Sequence, residues 1–330
     1  RALNGMGQAI PAVPLQDESD LAQSARITSS STLELLGLPS DGPWLDLEYP
    51  TAQLLPLTPA DQPVIKLRVR AKQSADLRVA LRVSDKAANF TPEAGLCEQT
   101  YALDKGEQEI EFPVTKGVDQ NRYGFLCLHA DEQVEVACSA QRVTGLMTVR
   151  KKFNRAVSNL GEQIPPEGIG IDRFEFWTPE RRPGGHNFAF QLSEPLKAFE
   201  LDQLTSGIFR PVVSTNAWAA AVNDSNPRLE FSWGQAQDIR EVVLHFDADF
   251  DHAMETAQWG HPENVMPFCV REYVIRDADG RELHRATDNY QAINRIRLNK
   301  PVSTDALTIE LTHPSETVPV ALFGVRIYAS

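Results

Sequence analysis

A chain of 330 residues exceeds what one hydrophobic core usually serves, so two domains are expected. At 42% hydrophobic and 23% charged it has the make-up of a folded globular chain, which excludes disordered and collagen-like classes. The 32 Lys and Arg against 45 Asp and Glu give a net charge of -13, which repels phosphate backbones and sets nucleic acid aside, and no apolar run nears the roughly 20 residues of a membrane-spanning helix.

Residues 1–24, with Pro11, Pro14, Asp17, Glu18 and Asp20, predict an extended tether. The chain opens on Arg1 without an initiator Met and shows no evident secretory signal, so it reads as the remainder of a longer polypeptide. Alternation then begins. Ile65, Leu67 and Val69 alternate with Lys66, Arg68 and Arg70, and Leu77, Val79, Leu81 and Val83 alternate with Arg78, Ala80 and Arg82. Period two is the mark of a strand with one buried face, and the short connection between these runs allows only antiparallel pairing. Similar runs follow at residues 110–114, 123–127, 134–138 and 143–149, so residues 25–150 predict a first sandwich.

Residues 151–170 interrupt the pattern with Lys151, Lys152, Pro165, Pro166, Gly168 and Gly170, which predicts a linker or lead-in. Strand-like runs resume through residues 171–330, with Asp277, Ala278, Asp279 and Gly280 forming a hairpin signal between Ile275 and Leu283. The fold class is therefore all-β, two tandem antiparallel β-sandwich domains. No repeat with a period of roughly 20 to 50 residues recurs, which argues against propellers and solenoids.

Chemistry-bearing motifs are sparse. Gly5 and Gly7 lack the third glycine and the preceding strand of a dinucleotide loop, and neither a Gly-x-Ser-x-Gly elbow nor a His-Glu-x-x-His helix occurs. Cys97, Cys127, Cys138 and Cys269 are too widely spaced for zinc; Cys127 and Cys138 read as buried thiols, with a pairing between them left open by spacing. The densest polar cluster runs from Asp247 to Glu263. Its Asp249 and Asp251 could give oxygen, and His252 and His261 nitrogen, to a divalent cation, whereas the plainer reading is a loop organised by its own hydrogen bonds. The first alternative implies a metal-assisted hydrolase or lyase on a jelly roll.

Arg181 and Arg182, beside Gly184, Gly185, His186 and Asn187, could clamp a carboxylate or sulfate, or simply form a solvated turn. Trp218 follows Asn216 and Ala217 in a polar stretch, where an exposed indole would suit sugar stacking and a buried one would be a core residue. Two sequons, at Asn89 and Asn223, carry weight only in a secreted eukaryotic protein.

Two resemblances add to this reading. Residues 159–172, with Phe174, Phe176 and Trp177, the run Arg181 to Asn187, and the run Phe246 to His252 with Gly260 to Glu263 and Met266 to Val270, resemble the C-terminal region of large bacterial FAD-dependent oxidoreductases. Residues 7–11 and 20–31 are similar to the linker that leaves the flavin module of that family. The resemblance implies that FAD belongs to a missing upstream module, since no position here matches its dinucleotide fingerprint. Separately, the stretches 204–218, 228–234, 239–244, 273–280 and 321–328 are similar in order to discoidin, or galactose-binding-like, domains. That family's jelly rolls bind glycans through loops at one end and often hold a structural calcium. The long 247–266 insertion and the absence of bracketing cysteines depart from the pattern.

Together these readings point to a non-catalytic accessory region that binds carbohydrate or docks on a flavin module. Its contact residues would be Arg181, Arg182, His186, Asn187, Trp218 and Trp259, and it would carry no cofactor of its own beyond a structural calcium. Unpaired cysteines favour the cytoplasm of a bacterium and glycan binding favours export, so the compartment stays open.

Overall fold

The computed structural model describes residues 19–84, 91–130, 133–153, 175–179, 186–247 and 266–329. The protein is all-β. Its strands are β1 (Arg26–Ser29), β2 (Leu35–Leu38), β3 (Trp44–Asp46), β4 (Thr51–Leu57), β5 (Val64–Ala71), β6 (Ala75–Val83) and β7 (Ala94–Leu103). Then come β8 (Gly106–Pro113), β9 (Arg122–Ala130), β10 (Val134–Ser139), β11 (Thr148–Phe153), β12 (Glu175–Pro179), β13 (Asn187–Phe188) and β14 (Phe190–Leu196). The last are β15 (Trp218–Ala219), β16 (Arg228–Phe246), β17 (Tyr273–Asp277), β18 (Glu282–Ala286), β19 (Ile293–Leu311) and β20 (Ala321–Ala329). Among the described residues no helix is long and apolar enough to cross a membrane.

The chain divides into two compact units that interleave along the sequence. One comprises Leu36–Ala140 and Leu146–Glu194; the other comprises the residues up to Leu35, Gln141–Gly145 and Pro195–Ser330. Strand pairing thus departs from the expected boundaries at 150 and 171. Strand β1 pairs with β16 of the second unit, Ile27 facing Phe231, while β12 and β13 pair with β11 and β10 of the first. The reason is physical: alternation shows which face of a strand is buried, but the partner is chosen by whichever sheet edge offers free N–H and C=O groups.

The first unit has two antiparallel sheets, in which β5 and β8 bury alternate residues while β4 and β9 are buried on both faces. One has the order β12-β11-β4-β9-β6-β7, with Leu54, Leu81, Phe125 and Leu126 fully buried. The other is built on β5, whose Ile65, Leu67 and Val69 point inward as their alternation predicts. Buried Gln53 of β4 joins the two sheets: its amide oxygen accepts from the Phe188 N–H at 2.8 Å and its Nε2 donates to Asn187 Oδ1 at 3.2 Å. All four cysteines are thiols, and burial pushes that of Cys127 up to about 12.

The second unit is organised by one long ribbon, β16 and β19, each of 19 residues and paired from Arg228↔Glu310 to His245↔Ile293. Register shifts between Ser232 and Gln237 and between Ile239 and Glu241 break the ribbon in its middle. On one side of the break β1 and β17 extend the sheet; on the other, β20 and β15 do. The halves close on each other, since Leu229, Phe231, Ile275 and Ile309 share one apolar core with Leu244, Phe246, Leu322 and Ile327. Phe246 and Tyr273, from opposite halves, have ring centroids 5.5 Å apart.

At the bend, residues 19–24 are not a tether but part of the fold. Asp20 caps a 3-10 turn at Leu21–Ser24, its Oδ1 accepting from the Ala22 N–H at 3.0 Å and from the buried Ile327 N–H at 2.9 Å. The Trp233 indole N–H donates to the Leu21 carbonyl at 3.0 Å, which pins the turn to β16. Removing the Asp20 carboxylate leaves the Ile327 N–H buried and unpaired and uncaps the turn, each costing about 1 kcal/mol or more. Asp20→Ala is therefore expected to lower the urea midpoint of unfolding by the equivalent of about 2 kcal/mol, and an unchanged midpoint would show that the cap is not structural.

Candidate functional site

Because the β16–β19 ribbon folds over in its middle, both of its ends lie at the same end of the second unit. The connections at residues 220–227, 287–292 and 312–320 therefore gather there, together with residues 30–34. Backbone bonds knit this rim: the Asn289 N–H donates to Arg271 O, the Thr312 N–H to Glu272 O and the Phe246 N–H to Ala292 O.

Asp224 is one hub of the rim. Its Oδ2 accepts from the Ser30 hydroxyl at 2.6 Å and the Ser31 hydroxyl at 2.5 Å, and its Oδ1 accepts from the Asn226 N–H at 3.0 Å. Burial opposes the charge, but these donors together outweigh it and hold the carboxyl below its ordinary value. The Val320 N–H donates to Nδ1 of His313 at 2.9 Å, so the imidazole proton sits on Nε2 and is donated to the Asp224 carbonyl at 2.9 Å. Serine, aspartate and histidine thus meet, but the histidine bonds a backbone carbonyl and both hydroxyls bond the carboxylate. The arrangement ties three connections together; it does not line up a nucleophile with a base.

Asn289 is the second hub. Its Nδ2 donates to Val270 O at 2.8 Å, and its Oδ1 accepts from the Gln291 N–H at 3.0 Å and from Asn294 Nδ2 at 2.9 Å. With Asn289 turned inward and 8% exposed, the next residue, Tyr290, is turned outward and is 74% exposed. Ile293, three residues on, is 56% exposed. Polar residues flank the two along the chain: Asp288, ion-paired with Arg271, then Gln291, and Asn294, whose Oδ1 accepts from the Tyr273 hydroxyl at 2.8 Å.

The residues singled out from sequence fall elsewhere. Trp218 is fully buried, not an exposed platform. It pairs with Leu322 in the sheet and donates its indole N–H to Thr32 Oγ1 at 3.3 Å, so the core takes its apolar area while its one donor is satisfied. Asn187 is buried in the first unit on Gln53, and the adjacent His186 gives its carbonyl to the Thr148 hydroxyl at 3.2 Å. Both therefore serve the sheet junction, and neither shares a unit with Trp218. Arg181, Arg182, Asp249, Asp251, His252, Trp259 and His261 lie outside the described residues. Among the described residues no three His, Cys, Asp or Glu side chains converge as metal ligands. Tyr290 was missed; its signal is an aromatic flanked by Asp288, Asn289 and Gln291 after the alternation of β18 has ended.

No family model and no curated protein matches this sequence. Among solved structures, the chain is similar to the family 32 carbohydrate-binding module of Streptococcus pneumoniae EndoD, with 10% identity, a TM-score of 0.32, and coverage of 41% of this chain and 88% of that one. Chitosan-binding module 1 of a Paenibacillus sp. IK-5 chitosanase/glucanase is 14% identical, with a TM-score of 0.29, over 41% of this chain and 88% of that one. The family 32 module of C. perfringens NanJ, solved in complex with galactose, is 11% identical, with a TM-score of 0.29, over 40% of this chain and 87% of that one.

Beneath the rim, His245 and Gly324 face each other across β16 and β20. Phe209 covers both: its ring stacks on His245 at 3.7 Å, and a Cβ on Gly324 would lie 2.5 Å from it. Burial, aided by Arg326 and Arg295, pushes the imidazole down to about 4. The sign follows: between pH 6.5 and about 4 the unfolded chain takes up a proton that the folded one refuses, so stability present at neutral pH is lost as pH falls. Going from pH 7 to 4.5 should cost about 2 to 3 kcal/mol through this group. Urea unfolding of wild type and His245→Phe at both values checks it; an equal acid loss in the two proteins would exclude His245 as the source.

Proposed function

We propose that the second unit binds carbohydrate through the rim that carries Tyr290. The observation behind this reading is the outward aromatic itself, held 74% exposed by the inward hydrogen bonds of Asn289 and bordered by amides and an ion pair. A pyranose has an apolar C–H face and a periphery of hydroxyls. Tyr290 and Ile293 offer area for the first, and Asn294, Gln291, Asp288 and Arg271 offer donors and acceptors for the second. The resemblance of the second half to glycan-binding jelly rolls points the same way. The metal-hydrolase reading rests on residues outside the described ones, and no observation favours it or the flavin-docking reading.

Calorimetry of the purified chain against galactose, chitosan oligomers and a panel of neutral saccharides, with calcium and with EDTA, tests the proposal. One saccharide class is expected to bind, and Tyr290→Ala should weaken it at least tenfold, about 1.4 kcal/mol, without moving the melting temperature. Binding that is unchanged in Tyr290→Ala, or no binding to any saccharide, would remove this reading.

A further inference from the structure

The first unit carries an unusual break in its β5-centred sheet. On one side, β5 is paired along its whole length by β8, from Val64↔Pro113 to Ala71↔Gly106. On the other side two strands share it end to end: β14 takes Ile65, Lys66 and Leu67, and β10 takes Val69, Arg70 and Ala71. Arg68 falls at the junction between them. The outward row through Lys66 is filled, running Gln191, Lys66, Glu111, and so is the row through Arg70, running Glu135, Arg70, Glu107. Beside Arg68, Ala189 lies between the two strands, its N–H donating to Ala137 O, and Leu38, Pro39 and Ser40 also border the gap.

A notch of about 160 Å³ opens there. Its sides are Lys66, Arg68, Glu109 and Gln191, with Ser40 among the other lining residues. That volume is below the roughly 300 Å³ at which drug-sized sites begin, so it suits a single ring and not an extended chain.

The two cations at this notch are each paired with a carboxylate of β8. The Arg68 guanidinium lies 5.7 Å from the Trp44 ring centroid and is bonded to Glu107, while Arg70 covers the same ring at 4.5 Å. Lys66 Nζ sits 2.8 Å from Glu111 and 3.9 Å from Glu109. Each of these pairs is about half exposed, and exposed ion pairs contribute only about 0 to 1 kcal/mol, so a ligand anion can replace Glu107 or Glu111 at little cost. Meanwhile the indole contact limits the rotamer freedom that Arg68 would lose on binding.

We infer that this notch is a second binding site, separate from the Tyr290 rim, that takes a single sugar ring bearing a carboxylate. Arg68 offers a planar fork for the carboxylate and Lys66 a second positive charge. Gln191, Ser40 and Glu109 supply the donors and acceptors that ring hydroxyls need. A neutral hexose would leave the fork without its anion and should bind at least tenfold more weakly than its uronic acid.

The test is calorimetry or NMR titration of the whole chain with sodium glucuronate and galacturonate, beside glucose and galactose, in wild type, Tyr290→Ala, Arg68→Ala, Arg68→Lys and Lys66→Met. The inference expects a uronate to bind at least tenfold more tightly than the matching neutral sugar and to bind equally well in Tyr290→Ala, which separates this site from the rim. Arg68→Ala should weaken it tenfold or more, Arg68→Lys and Lys66→Met by less, and added salt should weaken it in wild type. Equal affinity for uronate and neutral sugar, or uronate affinity unchanged in both Arg68→Ala and Lys66→Met, would overturn the inference. So would loss of uronate binding in Tyr290→Ala alone.

Discussion

The second unit depends on one constraint: a 19-residue pair of strands must bury both of its halves, and it can do so only by folding over. Had β16 and β19 stayed straight, Phe231 and Leu244 would sit far apart on a single exposed sheet face. The register shifts in the ribbon let it bend, so the apolar residues of one half become the solvent shield of the other. Everything placed around the ribbon follows. Asp20, Trp233 and the turn at Leu21–Ser24 close the bend, and the connections between strands collect at the far end.

That far end is tied together by polar hubs above the apolar core, which takes Ala220 and Val320 from the same connections. Asp224 and Asn289 each satisfy several donors or acceptors from separate connections, Asn289 while buried and Asp224 while half-buried. An inward-turned amide has an outward consequence, because the chain that wraps it must present its neighbour to water. Tyr290 is the result: an aromatic whose exposure is imposed by the hydrogen bonding of the residue before it. Such an arrangement keeps a flat apolar surface open to solvent, which is what stacking on a ring requires.

The first unit solves a different problem. Its central strand β5 is longer than either partner on one side, so β14 and β10 abut, and the notch at Arg68 is the space their ends leave. The charged rows on either side of it are a solvated surface as far as stability goes. Their fixed order across three strands nonetheless sets cations, a carboxylate and an amide at known spacing around one small opening.

The alternation of Ile65, Leu67 and Val69 with Lys66, Arg68 and Arg70 announced both the strand and its buried face, because a period of two has one physical cause. The same logic made the all-β class legible across both units. Partnership was not legible: Arg26–Ser29 belongs to β16, far along the chain, because free hydrogen-bonding groups on an edge carry no residue signature. Nor was the role of Trp218, since an indole in such a stretch could be a platform or a core residue until the sheet that covers it is in place. The sequence by itself determined which residues alternate, which charges exist and which catalytic motifs are missing. Only the tertiary structure decided which strands meet, that Trp218 lies in the core while Tyr290 faces water, and that Arg68 stands at a gap. Burial and pairing are properties of what a residue is packed against, and those neighbours lie far away in the chain.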